Sequence, residues 1–181
     1  MLNTSASIKE PGLNILPPGV ERYIVNGGGL TGIQILPDDE IEIINNEGNQ
    51  LCEISVFNKE GKSEPAILNL KENNNASEIK KILSKKDESS LIALHQLKKR
   101  NLDISKSKAS IIFDKDTSWG EKVKIKSKDK CYCIFAAPGA EMLVHEQNPP
   151  TDLTIFVKRA KITKDKEHHV IPDPMFDPLS E

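Results

Sequence analysis

With 181 residues, 37% of them apolar and 29% charged, the chain suits one domain with a modest core and a large solvated surface. Its 25 basic residues against 27 acidic ones give a net charge of −2, without the broad positive field of a nucleic-acid or anionic-lipid binder. No apolar run approaches the roughly 20 residues of a membrane span. The first residues lack a signal-peptide pattern, and three cysteines without framework spacing point to a reducing, cytoplasmic setting.

Residues 1–19 are polar and end in Leu16-Pro17-Pro18-Gly19, an extended lead-in and turn. A β-rich domain is expected over 20–160, with a short edge strand at Glu21–Val25. Gly27, Gly28 and Gly29 follow; with neither a Lys-Ser/Thr step nor a helix behind them, they read as a corner rather than a phosphate loop. From Leu30 the apolar pattern alternates. Ile33 and Ile35 precede a turn at Pro37-Asp38-Asp39, and Ile41 and Ile43 alternate with Glu40 and Glu42. After the connection at Asn45–Asn49, the segment from Gln50 to Phe57 sets Leu51, Glu53, Ser55 and Phe57 on one face and Cys52, Ile54 and Val56 on the other. These two runs are expected to pair as a hairpin, with a third strand at Ala66–Leu70.

A helical insertion is predicted over about 76–100. Its first helix presents Ile79, Ile82 and Leu83; its second is capped by Asp87, with Leu91, Ile92, Leu94 and Leu97 inward and Lys98-Lys99-Arg100 at the C-terminal dipole end. Strand signals return at Ser110–Phe113, at Val123 and Ile125, at Cys131–Ala137 and at Leu153–Val157. The predicted class is α+β, mainly antiparallel β, a distorted barrel or sandwich with a short helical insertion. The 161–181 segment, rich in proline, reads as a linker towards a further C-terminal region.

Two constellations bear on function. Between the last two strand signals stand His145, Glu146, Gln147 and Asn148, stiffened by Pro149 and Pro150. His145, Glu146 and Asn148 are the candidate ligand-binding row for a small molecule, with Gln50 and Glu53 from the front hairpin expected to face it; a buried, satisfied histidine is the alternative. Cys131 and Cys133 share a strand face, and with Cys52 and His145 they are the candidate zinc ligands. Their spacing lacks the tight Cys-x2-Cys knuckle, so packing in the core is preferred to metal.

The run Glu40–Glu53, EIEIINNEGNQLCE, resembles the front hairpin of the urea carboxylase-associated family. The run Ala137–Thr154, APGAEMLVHEQNPPTDLT, resembles the amino-terminal region of large fusions in which such a domain precedes a glycine-cleavage T-type aminomethyltransferase. That resemblance implies an accessory domain that binds a small ligand or packs on an aminomethyltransferase-like C-terminal domain or subunit. Tetrahydrofolate would be used only beyond Glu181, with no cofactor in this chain. It also implies an alternative, a metal-dependent enzyme acting on a small amidine, urea or amine compound, since the associated family resembles such enzymes.

Overall fold

The computed structural model describes residues 16–114, 116–139 and 149–161. Eight strands alternate with turns along it: β1 (Val20–Val25), β2 (Leu30–Ile35), β3 (Glu40–Asn45), β4 (Cys52–Phe57), β5 (Ala109–Phe113), β6 (Lys122–Lys126), β7 (Cys131–Ala136) and β8 (Leu153–Lys158). Between β4 and β5 lie the helices α1 (Ser77–Ser84) and α2 (Glu88–Lys99). The strands form two four-stranded antiparallel sheets, β1-β8-β3-β6 and β2-β7-β4-β5. The architecture is therefore a mainly antiparallel sandwich with a short helical insertion, as the alternation predicts. No helix among the described residues is long and apolar enough to cross a membrane.

All eight strands supply the core between the sheets. Ile33, Ile35, Ile41, Ile43, Ile54, Phe135, Leu153 and Ile155 are fully buried there. Each such side chain contributes about 1.5–3 kcal/mol relative to an exposed one, so this layer dominates the stability of the domain. β4 and β7 are buried on both faces. Cys52, Ile54 and Val56 point into the sandwich, while Phe57, with Ile134 and Ala136 of β7, packs under Ile79, Ile82, Leu83, Ala93 and Leu97. The helices thus form a third layer over the outer face of β2-β7-β4-β5. The alternation over Gln50–Phe57 marks two different apolar surroundings, not one wet face and one dry face.

Three local expectations are corrected. β3 and β4 are not a hairpin: β3 is flanked by β8 and β6, and β4 by β7 and β5. Gly48 (φ 78°) and Asn49 (φ 56°), both left-handed, carry the chain out of one sheet and into the other, and Asn49 N–H donates to Thr117 O at 2.8 Å. No third strand occurs at Ala66–Leu70. Pro65, with its fixed φ and no N–H, starts a 3-10 turn over Pro65–Leu68 that ends at left-handed Asn69. In α2 the inward stripe is Ser90, Ala93 and Leu97, while Leu91 and Leu94 are exposed, because the Ser90 hydroxyl donates to Ile82 O and turns that face onto α1.

Strand connections alternate between the two ends of the sandwich. At one end, Arg159 binds both carboxylate oxygens of Glu21 (2.9 and 2.6 Å) and one of Asp39 (2.6 Å), and Ala160 N–H donates to Asp39 at 3.0 Å. Arg159 and Asp39 are buried, and the bidentate geometry with a backbone donor satisfies the charges that burial would otherwise penalise. The other end gathers the β1–β2, β3–β4, β5–β6 and β7–β8 connections.

Candidate functional site

At that second end the connections are tied to one another. Gly28 N–H donates to Ala137 O at 2.6 Å, Ala137 N–H returns to Gly29 O at 3.1 Å, and Gly27 N–H donates to Asp152 Oδ1 at 2.8 Å. Gly27 is required by close approach: a Cβ there would stand 2.3 Å from Pro150 O. The three glycine amides are all engaged, since Gly29 N–H donates to Asn26 O at 2.8 Å. They have no free N–H with which to cradle a phosphate, and the triplet is a corner.

Gln50 sits at the centre of this end, almost fully buried. Its Nε2 donates to Leu51 O and to Pro138 O, both at 2.9 Å, and its Oε1 accepts from Thr151 N–H at 2.7 Å. Asn45 Nδ2 in turn donates to Gln50 O at 2.8 Å. One side-chain amide therefore closes the β7–β8 connection at both its ends. His145, Glu146 and Asn148 lie outside the described residues. What is described is the frame that Gln50 sets for the segment that carries them.

Glu53 is placed elsewhere. It is fully buried under the helix layer, where Oε2 accepts from Ile79 N–H and Oε1 from Asn74 Nδ2, both at 2.7 Å. Asn74 Oδ1 accepts from Ala76 N–H at 2.7 Å. The N-cap residue of α1 is Ala76, whose side chain cannot cap the helix, and the Glu53 carboxylate from β4 fills that role at the positive end of the helix dipole. Gln50 and Glu53 are not brought together, and each one's polar atoms are spent on holding the fold.

The cysteines are core residues. Cys131 and Cys133 face the sandwich interior with their Sγ atoms 3.6 Å apart, and Cys52 is buried in the same core. Burial pushes the Cys133 thiol well up, with Cys131 adding to it, and burial followed by the charge of Glu53 does the same to Cys52. The Cys131 thiol is shifted the other way, lowered chiefly by its hydrogen bond with Cys133. Among the described residues no group of three His, Cys, Asp or Glu side chains converges as a metal site, and the fourth candidate, His145, lies outside them.

What the described residues do form is a cleft of about 240 Å³ between the glycine corner and the start of α2. Its apolar floor is Leu30, Ile82, Ile92 and Ala93; Asn26, Gly27–Gly29, Asp87, Ser89 and Ser90 make up the rest of its lining. Asp87 caps α2, accepting from Ser90 N–H at 2.8 Å and from the Ser90 hydroxyl at 2.6 Å. Those two bonds, with a smaller contribution from Lys85, hold its carboxyl below the ordinary aspartate range, so it is ionised at neutral pH. Lys85, at the C-terminal end of α1, donates from Nζ to Gly28 O at 3.2 Å and ties the helix layer to the glycine corner. The sequence marks Asp87 as a cap and the glycines as a corner, but nothing local signals that helix and corner meet.

No family model matches the chain. It is 32% identical over 177 residues, or 97% of its length, to the trimethylamine-oxide aldolase of Ruegeria pomeroyi. The chain spans 22% of that protein's length. This match corrects the resemblance to the urea carboxylase-associated family and to aminomethyltransferase fusions: the relative is named as an aldolase, not a transferase, and no family model supports the other assignment. The accessory-domain reading is corrected with it, because the matched stretch belongs to an enzyme named for a small amine compound.

Proposed function

We propose that this chain forms part of an enzyme acting on a small amine compound, with trimethylamine oxide the first candidate substrate. The observation that carries this reading is 32% identity sustained over 97% of the chain to an enzyme of that name. The matched stretch covers nearly the whole chain, so it takes in both sheets, the helical insertion and the glycine corner. The end of the sandwich that gathers four connections, two of them tied together by Gln50, is the natural place for a site, since loops held by a rigid scaffold carry binding groups most often. It also offers a cleft of a size suited to a small molecule.

The test is an exchange. The matched stretch of the Ruegeria pomeroyi enzyme is replaced by this chain, and loss of the trimethylamine-oxide methyl resonance is followed by proton NMR. Consumption of the compound by the hybrid is the expected result. A folded hybrid that leaves it untouched, beside an active parent, overturns the reading.

A further inference from the structure

The helix layer leaves an apolar stripe of α2 in solvent. Periodicity sends Leu91 and Leu94 inward, yet they are 56% and 37% exposed, because Ser90, Ala93 and Leu97 take the core-facing side of the helix. At about 100° per residue, Asp87, Leu91, Leu94 and Lys98 fall within about 60° of one another on one flank of α2. All four are exposed. The stripe therefore reads acid, leucine, leucine, base from the N-cap to the last turn. Both cap bonds that Asp87 accepts from Ser90 fall on its Oδ1 atom.

The order of the stripe decides what fits it. An acidic partner would be held at Lys98 and repelled at Asp87, and a basic one the reverse. A parallel copy of the same helix would set Asp87 against Asp87 and Lys98 against Lys98. An antiparallel copy matches at every position. With a twofold axis midway between Leu91 and Leu94, Asp87 meets Lys98 of the second copy and Leu91 meets Leu94 of the second copy, each contact being made twice. The two helix dipoles then lie head to tail, so each positive end is beside a negative one.

We propose that α2 is the surface on which a second copy of this chain docks, antiparallel, through Leu91 and Leu94 with an Asp87–Lys98 pair at each end. Four leucine side chains leave water at its centre, and the end charges fix the direction of the pair. The stripe is only about 17 Å long, far short of a standard interface, so the dimer is weak, with a dissociation constant on the order of 0.1 mM. The contact is independent of the activity proposed above.

Sedimentation equilibrium of the full chain, over a roughly 100-fold concentration range centred on that dissociation constant, reads the association. The weight-average mass should climb from that of one chain towards that of two. Leu91→Glu and Leu94→Glu, at exposed positions, should keep the melting temperature and remain monomeric throughout. Lys98→Glu should weaken the dimer roughly tenfold, since like charges then meet at both ends. Asp87→Lys should do the same, and an equimolar mixture of Asp87→Lys with Lys98→Glu should dimerise as well as the parent, because unlike charges meet again at both ends. Far-ultraviolet circular dichroism checks that Asp87→Lys, which removes the cap, still forms α2; the other three variants leave the cap intact and decide the matter if it does not. A parent chain that stays monomeric at the highest concentration overturns the proposal and leaves the stripe to a different partner. A dimer indifferent to Leu91→Glu and Lys98→Glu overturns it too, since the contact would then lie on another face.

Discussion

Gln50 is the residue whose replacement tests the architecture of the candidate site most directly. In Gln50→Leu the side chain keeps its bulk but loses the bonds to Leu51 O, Pro138 O and Thr151 N–H. Leu51 O lies next to Gln50 in sequence and can find water, but Pro138 O and Thr151 N–H are bridged to each other by this amide. A net hydrogen bond contributes about 0.5–1.5 kcal/mol, and a buried partner left unsatisfied costs about 1–3 kcal/mol. The two long-range bonds together imply a loss of about 2–4 kcal/mol. In a chain of this size that corresponds to a fall in melting temperature of roughly 4–16 °C. Urea unfolding followed by circular dichroism reads the free energy, and an unchanged m-value confirms that native compactness is kept. Hydrogen exchange adds a local readout, since the Thr151 amide should lose protection before those of β8. Gln50→Glu sharpens the case. Its carboxylate still accepts from Thr151 N–H but faces two carbonyl oxygens, so it should be destabilised at neutral pH and partly recovered in acid, where the protonated form donates once. A Gln50→Leu protein within about 0.5 kcal/mol of the parent, the range of ordinary surface changes, would refute the brace.

Glu53→Gln retains shape but presents an amide N–H₂ to either Ile79 N–H or Asn74 Nδ2, and should cost about 1–3 kcal/mol in urea unfolding, with early loss of α1 amide protection. Acid should act through the exposed cap at Asp87, whose folded pKa lies below the unfolded value. Its contribution is complete above the unfolded aspartate range near pH 4 and disappears as the pH falls through the folded value, so melting temperature should decline below about pH 4 and decline less in Asp87→Asn. At the alkaline side burial and Glu21 raise the Tyr23 pKa; its contribution is present below the unfolded value near pH 10 and is lost as the pH rises through the folded one.

The strands were legible because their signal is local. Alternation over Ile33–Phe57 and the β-branched runs at Cys131–Ala137 and Leu153–Val157 place nearly every strand within a residue or two of its observed bounds. Which strand lies beside which is not a local property. The stretch Asn45–Asn49 has the composition of a hairpin turn, and only the pairing of β3 with β6 and β8, whose sequences lie far downstream, shows that it is a corner between sheets. Pro65 carries a local signal for the 3-10 turn, but the apolar residues Ile67 and Leu68 mimic a strand because they plug the same core from below.

The site divides along the same line. Parity along β4 already separates Gln50 from Glu53, since residues an odd number apart in a strand point to opposite faces. The expectation that both face one ligand therefore needed a break in the strand. The break is real, because β4 begins at Cys52, but it turns Gln50 towards Pro138 and Thr151 and leaves Glu53 under α1. A buried glutamine reads the same in sequence whether it binds a ligand or ties two loops, because both roles use the same three polar directions. Lys85 and Asp87 carry even less local signal: they stand between two helices, where a lysine and an N-cap are ordinary residues. Only the packing of α1 and α2 against β4 and β7 brings that junction to the glycine corner. Binding groups supplied by elements distant in sequence are thereby set by the tertiary layer that positions them, and the buried bonds of Glu53 and Gln50 are what hold that layer and that corner in place.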